Sequence, residues 1–379
     1  MFVVGAGRAD GRSPLLRLHV GADTTSPQPA HVFQMASRWS MNSTDPTHQG
    51  QVALQSFKIV GTSSPRVDGL EKTTGTARYT GDTSLPGMLI VKSLRSPYPH
   101  ALIVRVDTSR ADRLPGVHAT LTGTDVRGIL FGRRMRDVPV LAHDRVRFAG
   151  ERVAAIAAED AETAERALEL IDVVYEPLPA VLEPDEAMAD GAPLLHPGVQ
   201  SYAGLPKELD EPTNAFVRDT WGRGDVITGF AQADLIVEGT YSTQRTHQAY
   251  LEPHAAVVWI DDDGRVQVWA ANKAPHRLKL NLADAIGLDP NSIVVHHSTI
   301  GADFGGKGSP MDIPVCYYLA KKTGRPVKSV MTFAEEFSAA NPRHPSTIRL
   351  RTGVRRDGTI VAHEARILFN SGAYGGFKP

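Results

Sequence analysis

The chain has 379 residues, with 41 Lys+Arg against 42 Asp+Glu and a formal net charge of −1. Hydrophobic residues make up 41% and charged residues 22%, which is ordinary globular usage and excludes wholesale disorder. The charge balance gives no reason to expect nucleic acid or a membrane as a partner, and at roughly 100–200 residues per domain the length predicts two or three domains.

Cys316 is the only cysteine. One thiol makes no internal disulfide and holds no iron–sulfur cluster, which normally needs four thiolates. Between Val315 and Tyr317 it reads as a small buried apolar residue. No apolar run approaches the ~20 residues of a membrane span. Met1–Val4 is too short for a secretory core and is followed by Arg8, Asp10 and Arg12, so a soluble cytoplasmic protein is expected.

Residues 1–58, rich in Gly, Ser, Thr, Pro and His, show no sustained period and predict a poorly ordered leader, with Met41 opening a second, more typical start. A first domain is expected over 59–182. Its strand candidates are Met88–Leu94, Leu102–Val106, His118–Thr122, the wholly apolar Val153–Ala158, and Val173–Tyr175. Asp160 predicts the cap of a helix that presents Ala164, Ala167, Leu168 and Ile171 on one face. Residues 183–223, rich in Pro, Gly and acids, predict a linker. A second domain over 224–379 carries strands at Leu235–Tyr241, Ala255–Ile260 and Val266–Ala270, the last two joined by the turn Asp261–Gly264. A helix from His276 to Ile286 follows, ended by Gly287, then a strand at Ile293–His296. After a glycine-rich loop, Ser309-Pro310 predicts a helix start. Ile348–Val354 and Ile360–Asn370 predict a hairpin turned at Arg356-Asp357-Gly358. The chain stops at Gly375-Gly376-Phe377-Lys378-Pro379, the composition of a functional loop, so a truncated domain is expected. The whole pattern predicts an α+β fold.

The loop Gly301-Ala302-Asp303-Phe304-Gly305-Gly306-Lys307 joins a β-branched strand to a predicted helix. Such a junction offers backbone N–H groups and the positive end of a helix dipole to an anion. Gly301, Gly305 and Gly306 permit positive φ and close backbone approach, and Lys307 adds charge. A plain strand–helix turn needs fewer glycines and no aromatic. The spacing Gly301-x-x-x-x-Gly306-Lys307 fits the opening of a P-loop, but Gly308 stands where a Ser or Thr would hold magnesium, and no Walker B strand is evident.

Several motifs occur in one order along the chain: Arg66-Val67-Asp68-Gly69, Lys72 to Asp82, Ser96-Pro97-Tyr98-Pro99-His100-Ala101, Leu114-Pro115-Gly116-Val117, Gly150-Glu151-Arg152-Val153-Ala154, Leu251-Glu252-Pro253-His254-Ala255, and Gly301 to Lys307. From about Ile59 to Pro379 the sequence resembles the N-terminal part of the molybdopterin-binding large subunit of the xanthine dehydrogenase/aldehyde oxidase family of molybdenum hydroxylases. The resemblance implies an a/b hammerhead domain followed by a truncated mixed α/β molybdopterin-binding domain. It implies a molybdenum–molybdopterin cofactor, in the cytosine dinucleotide form, with iron–sulfur and FAD groups on partner subunits and the C-terminal half of the same subunit completing the site. The complete assembly expected from it is a dimer of heterotrimers. Gly301, Phe304, Gly305 and Gly306 are then cofactor-contacting residues.

Three features depart from the family pattern. Ala302 and Asp303 replace glycines, and an acid beside an anionic cofactor makes sense only if its carboxylate points away or caps the loop. Lys273, in Asn272-Lys273-Ala274-Pro275, stands where many relatives have a Gln that hydrogen-bonds a metal oxo group. Lysine donates too, but as a full positive charge, unless it is a solvated surface residue. Gly308 stands where purine-oxidising relatives carry Glu, which argues against purine. The family's general base, a Glu in a G-x-G-E motif, is expected beyond Pro379, and Glu252 reads as a supporting residue. His247, His254, His296 and His297 show no metal-ligand spacing and no protein ligand to a metal is expected. The activity implied is oxidation of an aldehyde or N-heterocycle with water as oxygen source. The alternative is a non-catalytic fragment or split subunit that only binds cofactor or partner.

Overall fold

The stretch Val153 to Ala158 is apolar at every position, and such a run forms a strand where both of its faces are covered. The computed structural model describes residues 58–205 and 211–377, and there the stretch lies in a strand one place from the end of a seven-stranded sheet. Ala155 and Ala157 enter one apolar cluster, while Ala154, Ile156 and Ala158 enter another. In chain order the main elements are β1 (Leu89–Arg95), β2 (Ala101–Asp107), β3 (Val117–Thr122), β4 (Arg152–Ala158), α1 (Ala161–Glu169), β5 (Asp172–Pro177), α2 (Val226–Ala231), β6 (Leu235–Thr243), β7 (Ala255–Ile260), β8 (Val266–Ala270), α3 (Pro275–Ile286), β9 (Ile293–His296), α4 (Ile313–Thr323), β10 (Val327–Val330), α5 (Phe333–Ala339), β11 (Ser346–Val354) and β12 (Ile360–Phe369).

The large sheet runs β9-β8-β7-β10-β1-β4-β3. Its pairings are antiparallel except β8 with β9 and β1 with β10. The parallel β1–β10 pairing, with Leu89 opposite Val327, joins strands from both halves of the sequence into one sheet. α1 covers β1 and β4 on one side through Ala164 and Ala167. α3 and α4 fill the other side with Leu278, Leu282, Val315 and Leu319. Cys316 is fully buried there, and burial pushes its thiol pKa up. Two three-stranded sheets flank this body, β2 between β5 and the two-residue strand Arg145–Val146, and β12-β11-β6 with α2 against it, and a two-stranded pairing joins Leu130–Phe131 to Val138–Pro139. Residues 58–76 belong to a separate unit containing a short helix, Gly69–Thr74, ended by Gly75 at φ 72°.

This is the α+β fold the pattern of elements predicts, and strand after strand lies where local sequence places it. Asp160 caps α1 by accepting from Thr163 N, and Gly287 ends α3 at φ 68°. The helix start is different. Ser309-Pro310 opens no helix: α4 begins at Ile313, with Asp312 at its cap and Pro314 in its first turn. Met311 takes φ 44°, which no helix tolerates. The Ser309 hydroxyl has no partner, whereas Asp312 is fixed by Arg152 at 2.5 Å and by Ser329 at 3.1 Å.

The 183–223 stretch is pinned at several points between Ala187 and Asn214. Asn214 bonds to the carbonyls of Ala187 and Pro193 and to Leu195 N, and His196 Nε2 lies 2.6 Å from the carbonyl of Ala373. The glycine run near Pro379 also packs inward. Asp137 accepts from Gly375 N at 2.6 Å and Gly376 N at 2.9 Å, and Phe377 stacks obliquely on Phe131. The leader predicted over 1–58 lies outside the described residues but for Lys58. No helix among the described residues is long and apolar enough to cross a membrane.

Candidate functional site

Between β9 and α4 the backbone folds into a loop that local preference alone would not hold. Ala302 takes φ 78°, Phe304 φ 44° and Gly305 φ 93°. A left-handed conformation costs an ordinary residue on the order of 1–2 kcal/mol, so two such residues need compensation. Two carboxylates supply it. Asp303 Oδ2 accepts from Gly305 N at 2.8 Å, and Asp303 Oδ1 accepts from Lys307 N at 2.6 Å. Glu252, on the segment leading into β7, accepts from Gly301 N at 2.6 Å and from Lys307 Nζ at 2.7 Å. Hydrogen bonds to charged groups contribute roughly 1.5–3 kcal/mol each, enough to offset the strain.

Lys307 has no exposed surface. Its ammonium pairs with Glu252 and lies 4.7 Å from the centre of the Tyr250 ring. The expectation that Lys307 adds charge for an external anion is therefore corrected: an ammonium buried between a carboxylate and an aromatic face is an internal prop. The expected row of open N–H groups at a helix dipole is corrected as well. The amides of Gly301, Gly305 and Lys307 are already bonded within the chain, and residues 308–312 separate the loop from α4.

Behind the loop the polar chain continues. The Tyr250 hydroxyl donates to Glu336 Oε2 at 2.8 Å, and Glu336 also meets His254 Nδ1 at 2.9 Å and the His254 backbone N–H. His247 Nε2 stands 3.8 Å from the same carboxylate. Burial works against the Glu336 charge, but the His254 contacts outweigh it and hold the pKa below the usual range. Burial beside Glu336 drives the Tyr250 hydroxyl pKa up. His254 is thus buried on Glu336, and His296 bonds Gln267 at 2.7 Å while stacking on Trp269. Among the described residues no group of three His, Cys, Asp or Glu converges as metal ligands would.

The structure brings the sequence-predicted residues together, each for its own reason. A Cβ at Gly301 would come within 2.5 Å of Glu252 Cβ, and one at Gly306 within 2.7 Å of Tyr250. Those two glycines are required by the prop beneath them. At Gly305 a Cβ would meet only the Arg343 guanidinium, at 3.3 Å. Phe304 stands 62% exposed at the loop's crest. Lys273 is half-exposed, its backbone N–H on the carbonyl of Lys307 and its ammonium 3.1 Å from Asp303 Oδ2. Burial of Asp303 is outweighed by the N–H groups of Gly305 and Lys307 and by Lys273, which keep its pKa below the usual carboxylate range. A Cβ at Gly308 would already touch Lys273 Cε at 3.5 Å, so a longer residue there would compete with Lys273 for room.

One contributor escapes a reading of the sequence. Arg343 donates to the carbonyl of Phe304 at 2.6 Å, and its own backbone N–H is anchored on Thr246. It lies about 40 residues downstream in Asn341-Pro342-Arg343-His344-Pro345, where no local periodicity marks it. The α5 helix is also absent from the predicted elements, although Thr332-x-x-Glu335 is a capping-box spacing and forms one. The outer face of the loop thus presents an aromatic ring, a side-chain-free position and a guanidinium. Such a face suits a planar, anionic group; the inner face, with its donors used, does not.

Two family models match the chain: "Aldehyde oxidase and xanthine dehydrogenase, a/b hammerhead domain" over residues 74–179 and "Molybdopterin cofactor-binding domain" over 208–379. The nicotinate dehydrogenase large molybdopterin subunit of Eubacterium barkeri is 32% identical over 85% of this chain and 73% of its own. The chain belongs to the xanthine dehydrogenase/aldehyde oxidase family. A probable xanthine dehydrogenase subunit of Bacillus subtilis (strain 168) is 38% identical over 84% of this chain. The structure of quinoline 2-oxidoreductase from Pseudomonas putida 86 superposes with a TM-score of 0.74 at 30% identity, over 83% of this chain. The chain spans 41% of the Bacillus relative and 40% of the quinoline enzyme chain. The loop of residues 301–307 lies within the stretch that the cofactor-binding model matches, and so does Glu252, its support.

Proposed function

We propose that this chain forms the loop side of the molybdopterin site in a molybdenum hydroxylase that oxidises an aldehyde or N-heterocycle with water as oxygen source. The observation that carries this reading is the outward face of Phe304, Gly305 and Arg343 on a loop braced from behind. A strained crest rigidified by four carboxylate contacts is what a precisely placed cofactor contact needs. When bound, the molybdenum centre would deliver water-derived oxygen to the substrate carbon and take up the electrons released.

The chain's own residues then have distinct tasks. Phe304 and Gly305 provide the surface against the pterin. Arg343 holds the Phe304 carbonyl and with it the crest. Glu252 and Lys307 fix the loop's two ends, and Asp303 its middle. Lys273 neutralises Asp303 from the open side of the loop, as a charged group where relatives place a neutral amide. The general base belongs to the part of the family's large subunit that this chain does not match. The cytosine dinucleotide form of the cofactor, iron–sulfur and FAD partner subunits, a dimer of heterotrimers and a cytoplasmic location complete the same reading. Gly308, packed on Lys273, favours a substrate other than purine.

The test is metal and pterin analysis of the tagged chain, pulled with its partners from source cells grown on molybdate. Molybdenum near one atom per chain is expected, and Phe304→Ala is expected to lower it without lowering the melting temperature. An assembly free of molybdenum and pterin overturns the reading.

A further inference from the structure

Phosphate-binding glycine loops turn successive backbone N–H groups toward an external anion. This loop has the same kind of concavity, and its occupant is part of the chain. Asp303 takes the N–H groups of Gly305 and Lys307 on its two carboxylate oxygens, and its own carbonyl takes that of Gly306 at 2.7 Å. Lys273 neutralises the carboxylate from the open side at 3.1 Å. The other nearby ammonium, Lys307, is buried and committed to Glu252. Arg343, exposed beside Phe304 and bonded to its carbonyl, adds a guanidinium on the outer side.

We propose that Asp303 is a specificity-determining residue: its carboxylate fills the seat in which the loop would otherwise hold phosphate or a similar small oxyanion, leaving only the Phe304–Gly305–Arg343 face for a ligand. This rests on the loop being the ligand-facing element, as proposed above, but does not depend on molybdenum being bound. Two physical effects enforce the exclusion. A free anion must displace a tethered one that is already at high effective concentration. If it binds beside Asp303 instead, the two negative charges repel; two bare charges about 4 Å apart would weaken binding by on the order of fivefold to a thousandfold, and Lys273 offsets part of that. Phosphate is thereby kept off the Gly305 and Lys307 amides, the donors that the Asp303 carboxylate occupies. Specificity of this kind works by penalising the wrong ligand.

The experiment uses the full chain without added cofactor, with inorganic phosphate and pyrophosphate as probes. Binding is followed by calorimetry and by the amide resonances of Gly305 and Lys307. The wild type is expected to show no saturable binding and slow exchange of those two amides. Asp303→Gly and Asp303→Asn are expected to bind pyrophosphate at least about tenfold more tightly than the wild-type limit, with those amides shifting. Asp262→Asn, which removes the same charge at an exposed turn, is expected to gain nothing. The proposal fails if the wild type binds phosphate at those amides, or if its Gly305 and Lys307 amides exchange as openly as free loop amides. It fails equally if the folded Asp303 variants gain no binding, or if Asp262→Asn gains as much. Loss of molybdenum from the native assembly would bear on the cofactor reading alone, so the two can fail separately.

Discussion

Two glycine loops in this molecule are closed by an aspartate, and they are opposites. In the loop after β9, Asp303 reaches amides two and four residues ahead, its side chain 22% exposed, with Lys273 alongside. In the loop after β12, Asp137 reaches Gly375 and Gly376 from 238 residues away and is almost fully buried. The local carboxylate is held below the usual pKa range. The remote one is pushed up to about 6, because burial outweighs its two N–H donors. The same bond pattern therefore gives a permanent anion in one place and a group that titrates near neutrality in the other. What differs is desolvation and the presence of a counter-ion.

The largest break in this comparison should come from the support beneath the first loop. Glu252→Ala leaves Lys307 charged, buried and unpaired, and is expected to cost about 3–5 kcal/mol. Denaturant unfolding checks this, and a loss below about 1 kcal/mol would mean Lys307 escapes to solvent. Next comes pH. Asp137 binds its proton more tightly folded than unfolded, so its contribution is fully present below the unfolded pKa of 3.8 and is lost as pH rises through about 6. The stability difference between wild type and Asp137→Asn should change by on the order of 2–3 kcal/mol between about pH 4 and 7, and a flat difference would place the carboxylate in water.

Asp303 should show the reverse slope. Its pKa is lowered, so its contribution is present above 3.8 and fades only as pH falls below that value. Asp303→Ala is expected to cost about 1–2 kcal/mol at neutral pH and less at about pH 3, as read by melting curves at both. The smallest effect belongs to Lys273→Met. A half-exposed pair contributes under about 1 kcal/mol, so stability should barely move. A large loss would make Lys273 part of the loop's frame and not only the counter-charge of Asp303.

These contrasts also mark what is legible in the sequence. The long strands, the α3 helix and both hairpin turns depend on neighbours within a few residues and lie where periodicity and turn residues put them, whereas the four-residue β10, held between β7 and β1, is absent from the predicted elements. The loop is visible because glycines, an aromatic and a lysine crowd into it, and Asp303 as a loop cap is foreseeable because the bonds are local. Burial of Lys307 depends on Glu252 and Tyr250, more than fifty residues upstream, and no local pattern carries that distance. Arg343 and Asp137 escape for the same reason. The false helix start at Ser309-Pro310 shows the converse: a good local signal lost to Asp312, whose buried ion pair with Arg152 comes from β4.

The parallel β1–β10 pairing has a consequence in time as well as in space. β1 leaves the ribosome about 240 residues before its partner exists. At synthesis rates of roughly 5–20 residues per second, that interval is on the order of 10–50 s. Through it, Leu89 and Val91 lack the neighbour that will bury them, and one edge of β1 is an open template for pairing with other chains. Nascent chains stalled before β10 emerges should be cut by protease within β1, and those stalled after it should resist. The feature that makes the finished sheet continuous is thus the one that leaves the growing chain longest in need of a chaperone.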